Sequence, residues 1–237
     1  MNDIVRGFGV VIIYFVIAAS FALLVRRFTR VNDEVFRKGL HCILLGSLLV
    51  WVLMFTTWWH AALTALIFAA AVYPILCLAE RIKGFSEFIT ERNHGELKRS
   101  LLIVFFMFAV VICVCWGWLG DKLLVLASVY AWGFGDAAAA LLGKRFGRHT
   151  LAGKHIEGHK SVEGSLAMFV VSFICVCTIL LLRGGLPVYG YIVISMVTAA
   201  ASATVELFSL NGTDTLTCPL AAMATMLPLV YWLGGGF

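Results

Sequence analysis

Charge is what this chain has least of. Charged residues fill 13% of its 237 positions and hydrophobic ones 62%, whereas a soluble domain carries about a quarter charged residues. Several apolar runs are long enough to cross a bilayer, so the class is a polytopic membrane protein. Eight spans with short loops nearly use up the length, and no separate soluble domain is expected. No cleavable leader is expected either. The first apolar run, from about Phe8, lacks a strong basic segment before it and a small-residue cleavage site after it, and reads as a retained span. Familiar catalytic signatures are missing too: there is no HExxH, GxSxG or dinucleotide fingerprint. Gly158-His159-Lys160-Ser161, with Gly153 upstream, approaches a P-loop, but His159 interrupts the required order and no strand precedes it. The seven cysteines lie mostly in apolar runs. Cys113/Cys115 and Cys175/Cys177, each two apart, point to nearly opposite helix faces, so they read as apolar filler and not as a disulfide framework or zinc site. The net charge of +5 reflects where the loops sit and does not argue for a nucleic-acid partner.

The expected fold is all-α, a transmembrane helix bundle of about eight spans (seven to nine), forming one integral membrane domain over residues 1–237. Spans are expected near 8–25, 40–57, 58–79, 100–118, 122–143, 164–182, 186–208 and 216–234. Trp58 and Trp59 would anchor an interface in the tight connection between the second and third. Basic residues then orient the chain. Arg26, Arg27, Arg30, Arg37 and Lys38 fall in 26–38; Arg81, Lys83, Arg92, Lys98 and Arg99 in 80–99; Lys144, Arg145, Arg148, Lys154 and Lys160 in 143–161. Only Arg6, Lys122 and Arg183 lie elsewhere. Fifteen of eighteen cations on alternate loops place those loops in the cytosol and both termini on the other side. The loop 209–215 falls on the cytosolic side by parity. Ile82, Phe85, Phe88 and Ile89 recur at helical spacing, so the second loop reads as an amphipathic helix on the membrane surface; its mixed charge fits a solvated face, with a functional role for Arg92, Glu96 or Lys98 the alternative.

The chemistry concentrates between Gly135-Asp136 and Gly164-Ser165. Gly133, Asp136, Ala140, Gly143 and Gly147 recur every three or four residues, a helix face bare of side chains except for one acid. Small residues allow close backbone approach, and an acid at membrane depth is a candidate functional group. Behind it come the five cations of 143–161 among Gly143, Gly147, Gly153, Gly158 and Gly164. A carboxylate suits a hard cation, while cations and free amides suit phosphate, and the combination fits a metal-bound nucleotide. The plainer reading is a helix end followed by a basic loop, with Asp136 capping or pairing locally.

Two further segments join it. Ala199, Ser202, Ala203 and Glu206 repeat the pattern of a bare helix with one acid, and Asn211-Gly212 marks a turn before Asp214 and Pro219. Close packing of the two bare helices would bring Asp136, Glu206 and Asp214 together, as one or two magnesium ions would need. The plainer roles are a hydrogen-bonded polar group for Glu206 and a turn-former for Asp214. Arg37, Lys38 and His41 could share a helical face at the membrane surface, either as phosphate contacts or as snorkelling cations beside an interfacial histidine.

These motifs, taken together, resemble the CTP-dependent lipid-alcohol kinases, the group of dolichol, phytol and polyprenol kinases and the fungal type of diacylglycerol kinase. The resemblance rests on Arg37-Lys38-x-x-His41, on Gly135-Asp136-Ala137-Ala138-Ala139 with Gly143-Lys144-Arg145-Phe146-Gly147, on Lys160-Ser161-Val162-Glu163-Gly164-Ser165, and on Asp214 followed by Pro219. They occur in the family's order across most of the chain, with Thr215 where the family usually has Asn. The resemblance implies transfer of the γ-phosphoryl of CTP to the hydroxyl of a polyprenol, another isoprenoid alcohol or diacylglycerol, with Mg2+ as cofactor and the site facing the cytosol. Asp136 would hold magnesium, joined by Glu206 and Asp214. Lys144, Arg145, Arg148 and Lys160 would neutralise phosphate, Ser161 and the loop glycines would donate to it, and Arg37, Lys38 and His41 would contact phosphate or orient the acceptor, with His41 a candidate base. The central stretch also resembles phosphatidate cytidylyltransferases, although their C-terminal HGG…D-R…D run is missing. A small transporter with an intramembrane acid is a third reading, but no inverted repeat is evident.

Overall fold

The computed structural model describes residues 2–29, 31–79, 95–151, 160–210 and 212–234. Its described elements are helical throughout, apart from one isolated β-bridge between Thr150 and Ser161. The helices are α1 (Asn2–Phe28), α2 (Asp33–Met54), α3 (Trp58–Ala79), α4 (Glu96–Val111), α5 (Lys122–Phe146), α6 (Val162–Arg183), α7 (Val188–Phe208) and α8 (Asp214–Gly234). A π-helical turn, Ile112–Trp118, prolongs α4. Eight helices are long and apolar enough to cross a membrane, and each corresponds to one expected span. The surface helix expected over 82–89 lies outside the described residues.

Two compact units divide the chain, Met1–Cys113 and Val114–Phe237. The first is built on aromatics. Phe68 stacks on Phe15 with ring centroids 5.0 Å apart, meets Phe105 at 5.0 Å and takes the edge of Trp51 at 5.8 Å. The Trp51 indole satisfies its N–H on the Ala61 carbonyl at 3.0 Å, as a buried indole must. Glycine is required where α1 meets the rest: a Cβ on Gly7 would lie 2.3 Å from the Phe55 ring, and one on Gly46 would lie 2.4 Å from Tyr14 Oη. In the α2–α3 connection, Asp3 Oδ2 accepts from Thr56 Oγ1 at 3.0 Å and sits 3.2 Å from His60 Nδ1. Trp58 and Trp59 beside it are both exposed, as interfacial anchors are.

The second unit centres on α5. Buried residues make up 61% of its apolar window, against 28% for each of α6, α7 and α8, and α5 packs against all three. Its N-terminus is fixed by Asp121, which accepts from the amides of Leu123 and Leu124 and pairs with Arg183 at the end of α6. Helix α7 shows the inverted pattern of a membrane bundle. Ser195, Thr198 and Ser202 are buried, while Val188, Tyr189, Ile192 and Met196 are exposed. Where lipid is as apolar as leucine, small and polar residues make the helix contacts.

Candidate active site

Helices α5 and α6 approach backbone to backbone. A Cβ on Gly135 would lie 2.5 Å from Ser172 Oγ and 3.0 Å from Met168 Cγ; one on Gly143 would meet Gly164 Cα at 3.3 Å; one on Gly164 would meet the Ala139 carbonyl at 3.1 Å. The Ser172 hydroxyl donates to the Ala131 carbonyl across the same contact. The small-residue seam is therefore Gly135, Ala139, Gly143 and Gly147: it keeps Gly143 and Gly147 of the face that spacing singled out and has Gly135 and Ala139 where spacing suggested Gly133, Asp136 and Ala140. Asp136 belongs to a neighbouring face with Trp132, whose Nε1 donates to Asp214 Oδ2 at 3.3 Å.

The seam ends in a clasped loop. Gly147 closes α5 with its N–H on the Gly143 carbonyl at 2.9 Å. Ser161, buried to 5% exposure, caps α6 by accepting from the Gly164 amide at 3.1 Å. A Cβ on Gly147 would lie 2.8 Å from Ser161 Oγ, so only glycine lets the two helix ends meet there. Leu151 N–H donates to the Lys160 carbonyl at 2.8 Å and Val162 N–H to the His149 carbonyl at 3.0 Å. Residues 152–159, including Gly153, Lys154 and Gly158, lie outside the described residues. Lys144 and Arg145 occupy the last turn of α5, where cations complement the helix dipole; both are exposed, as is Arg148. These exposed cations stand near the N-terminus of α6, whose first turn also carries Glu163.

The three acids converge in part. Lys160 Nζ lies 3.0 Å from Glu206 Oε1 and also donates to the carbonyls of Glu206, Leu207 (3.3 Å) and Ser209 (3.4 Å). It thus closes the C-terminus of α7 as well as pairing with that helix's acid. Asp136 and Asp214, both half-buried, lie within electrostatic range of Glu206. Among the described residues, however, no three His, Cys, Asp or Glu side chains form a group that could hold a metal unaided. Such a donor set fits magnesium arriving with its nucleotide, because Mg2+ keeps several waters and takes one or two carboxylates plus substrate phosphates.

In the first unit, Arg37 pairs with Glu34, and Arg26 reaches Asp33 at 3.1 Å while lying 4.5 Å over the Phe36 ring. Asn32 caps α2 by accepting from Glu34 N–H at 2.9 Å. Lys38 is buried at 7% exposure, and His41 is half-buried. The cations of this loop are therefore partly matched by acids at its own helix start.

One pair escaped the sequence reading. His149 Nδ1 lies 2.7 Å from Glu163 Oε1, and the His149 backbone N–H reaches both carboxylate oxygens at 3.3 Å. The residues are 14 apart and flank the loop, so no helical spacing announces them.

A curated relative decides the family: phytol kinase from Synechocystis is 33% identical over 222 residues, covering 90% of this chain and 87% of that protein. The chain belongs to the lipid-alcohol kinase family. Dolichol kinase sec59 from Schizosaccharomyces pombe is 29% identical over 105 residues, 40% of this chain and 20% of that longer protein. No family model matches the chain, and no solved structure matches it.

Proposed function

We propose that this kinase transfers the γ-phosphoryl of CTP to the hydroxyl of an isoprenoid alcohol in the bilayer. The names of both relatives, phytol kinase and dolichol kinase, support an isoprenoid acceptor over diacylglycerol. The observation that carries the reading is the convergence of Asp136 and Asp214 with the clasped loop at the α5–α6 seam. Phosphoryl transfer is catalysed chiefly by positioning and charge neutralisation, and these residues offer both. Lys144, Arg145 and Arg148 would face the phosphates. Gly143 and Gly147 would keep the approach to the backbone open. Ser161, already capping α6, would hold the loop's geometry and present the α6 amides. Lys160 would act from its pairing with Glu206, fixing the end of α7 beside the acids. Magnesium bound with the nucleotide would neutralise charge on its phosphates, with Asp136 and Asp214 as its protein carboxylates. Arg37, Lys38 and His41 of the first unit are proposed as contacts for phosphate or for the acceptor.

The test separates kinase from cytidylyltransferase chemistry. A kinase binds an uncharged hydroxyl, and residues 206–237 contain no Lys or Arg to hold an anionic lipid phosphate. Purified protein given γ-labelled CTP and an isoprenoid alcohol should place label in the lipid, and α-labelled CTP should not. Label from the α-phosphate, with pyrophosphate released, would replace this reading with cytidyl transfer. ATP run in parallel identifies the donor.

A further inference from the structure

On the outer side of the α5–α6 seam lies an open groove of about 320 Å³ lined by Leu142, Phe146, Glu163, Leu166, Ala167 and Val170. Leu142 and Phe146 are one turn apart on α5; Glu163, Leu166 or Ala167, and Val170 step along one face of α6. The groove's head adjoins the glycine crossing directly, since Leu142 neighbours Gly143 and Glu163 neighbours Gly164. Its wall is almost wholly apolar, and the residue at its loop end, Glu163, bears a carboxylate. That carboxylate is the one that binds His149, whose side chain is 79% exposed while that of Glu163 is 28% exposed. The groove thus leads along apolar side chains to Glu163, and through it to the carboxylate–imidazole pair at the loop.

We infer that this groove holds the hydrocarbon tail of the acceptor alcohol, with its hydroxyl at the His149–Glu163 pair. The inference rests on the lipid-alcohol kinase reading and gives that reading its acceptor site. With Nδ1 held 2.7 Å from the Glu163 carboxylate, the imidazole has Nε2 left to face the acceptor hydroxyl. In the transfer step the alcohol oxygen forms a bond to the γ-phosphorus as the bond from that phosphorus to the nucleoside diphosphate breaks. The hydroxyl proton passes to His149 Nε2 and then to water. Glu163 is the positioning residue that fixes the tautomer and ring orientation, and His149 is the group that touches the acceptor. The membrane supplies the tail laterally, so the alcohol never leaves hydrocarbon.

The test uses the full-length protein in phosphatidylcholine nanodiscs with a long-chain isoprenoid alcohol carrying a mid-chain diazirine. Photolabel should concentrate on Leu166, Ala167 and Val170 and be displaced by unlabelled alcohol. Phosphatidylcholine bearing the same diazirine should label the lipid-facing helices evenly. Ala167→Trp should raise KM for the long-chain alcohol about tenfold, equivalent to about 1.4 kcal/mol, and leave KM for CTP unchanged. Ile192→Trp, on the exposed face of α7, should change neither. His149→Gln should lower kcat about 100-fold, the scale of a lost general base, with both KM values retained. Glu163→Gln should show a smaller loss of kcat. Photolabel shared equally by the alcohol and phosphatidylcholine probes, or an unaltered alcohol KM in Ala167→Trp, overturns the groove. An unaltered kcat in His149→Gln overturns the proton acceptor. Wild-type protein that phosphorylates no alcohol defeats the kinase reading itself, while the photolabel still reports on the groove.

Discussion

Lys160 joins Glu206 across 46 residues of sequence, its ammonium set on the C-terminal carbonyls of α7 and 3.0 Å from the Glu206 carboxylate. A cation that also closes a helix end is structural before it is catalytic. Removing it leaves an acid at helix depth without its counter-charge. Lys160→Met is therefore expected to destabilise the protein by roughly 3 kcal/mol, the low end for a broken buried pair, because a fifth of the lysine side chain remains exposed. Adding Glu206→Gln should recover part of that loss. Thermal unfolding in detergent measures both, and a Lys160→Met protein as stable as wild type would return the lysine to a purely phosphate-binding role.

Asp136→Asn should abolish turnover while the protein still inserts and folds. Removing the charge of a metal-bound carboxylate is expected to cost several kcal/mol of transition-state stabilisation, hence a rate loss of about a thousandfold or more. Steady-state assay alongside size-exclusion of the purified variant checks this. Wild-type-like kcat would reduce Asp136 to a packing or capping group.

The α5–α6 seam gives a graded series. Gly135→Ala puts its Cβ 2.5 Å from Ser172 Oγ and 3.0 Å from Met168 Cγ, within a buried contact that cannot open cheaply, and overpacking of that kind costs about 1–3 kcal/mol. Gly9→Ala, with nothing within 4 Å of its Cβ, should be neutral. The melting temperatures of the pair report the difference. Equal values would mean the helices separate freely.

Sidedness is open to labelling. Arg148→Cys, at an exposed position, should react with a membrane-impermeant maleimide only from the cytosol, as should Arg27→Cys. Reaction of Arg148→Cys from the opposite face would invert the expected topology and move the basic loop away from cytosolic nucleotide.

The helices were legible because hydropathy runs are local: eight apolar stretches gave eight helices, and cations marked most of their ends. Asp136 stood out as an acid amid alanines, Glu206 as an acid closing a run of small residues, and Asp214 as an acid just after an Asn-Gly turn. Register was harder. Gly143 and Gly147 belong to the face that spacing singled out, but ahead of them Gly133/Asp136/Ala140 and Gly135/Ala139 are equally helical, and only the position of α6 selects the second set. The pairs that join distant segments carry no periodicity at all. Nothing near Glu206 announces that Lys160 will close its helix, and nothing near Glu163 announces His149. The loop at 26–38 read as a block of cations, while Asp33 and Glu34, which match Arg26 and Arg37, were visible in the sequence and overlooked.

The α5–α6 pair is fastened at both extremities, by Asp121 with Arg183 at one and by Gly147 against Ser161 at the other. Two rods pinned at each end cannot slide along their common axis, so together they have one fixed length. At 1.5 Å per residue, the 25 residues of α5 measure about 37 Å, somewhat longer than a typical hydrocarbon core. A thicker or thinner bilayer must then be met by leaning the pair as a unit or by deforming the surrounding lipid. The kinase is therefore matched to a membrane thickness as well as to a substrate, and its activity should follow the acyl-chain length of the lipids around it.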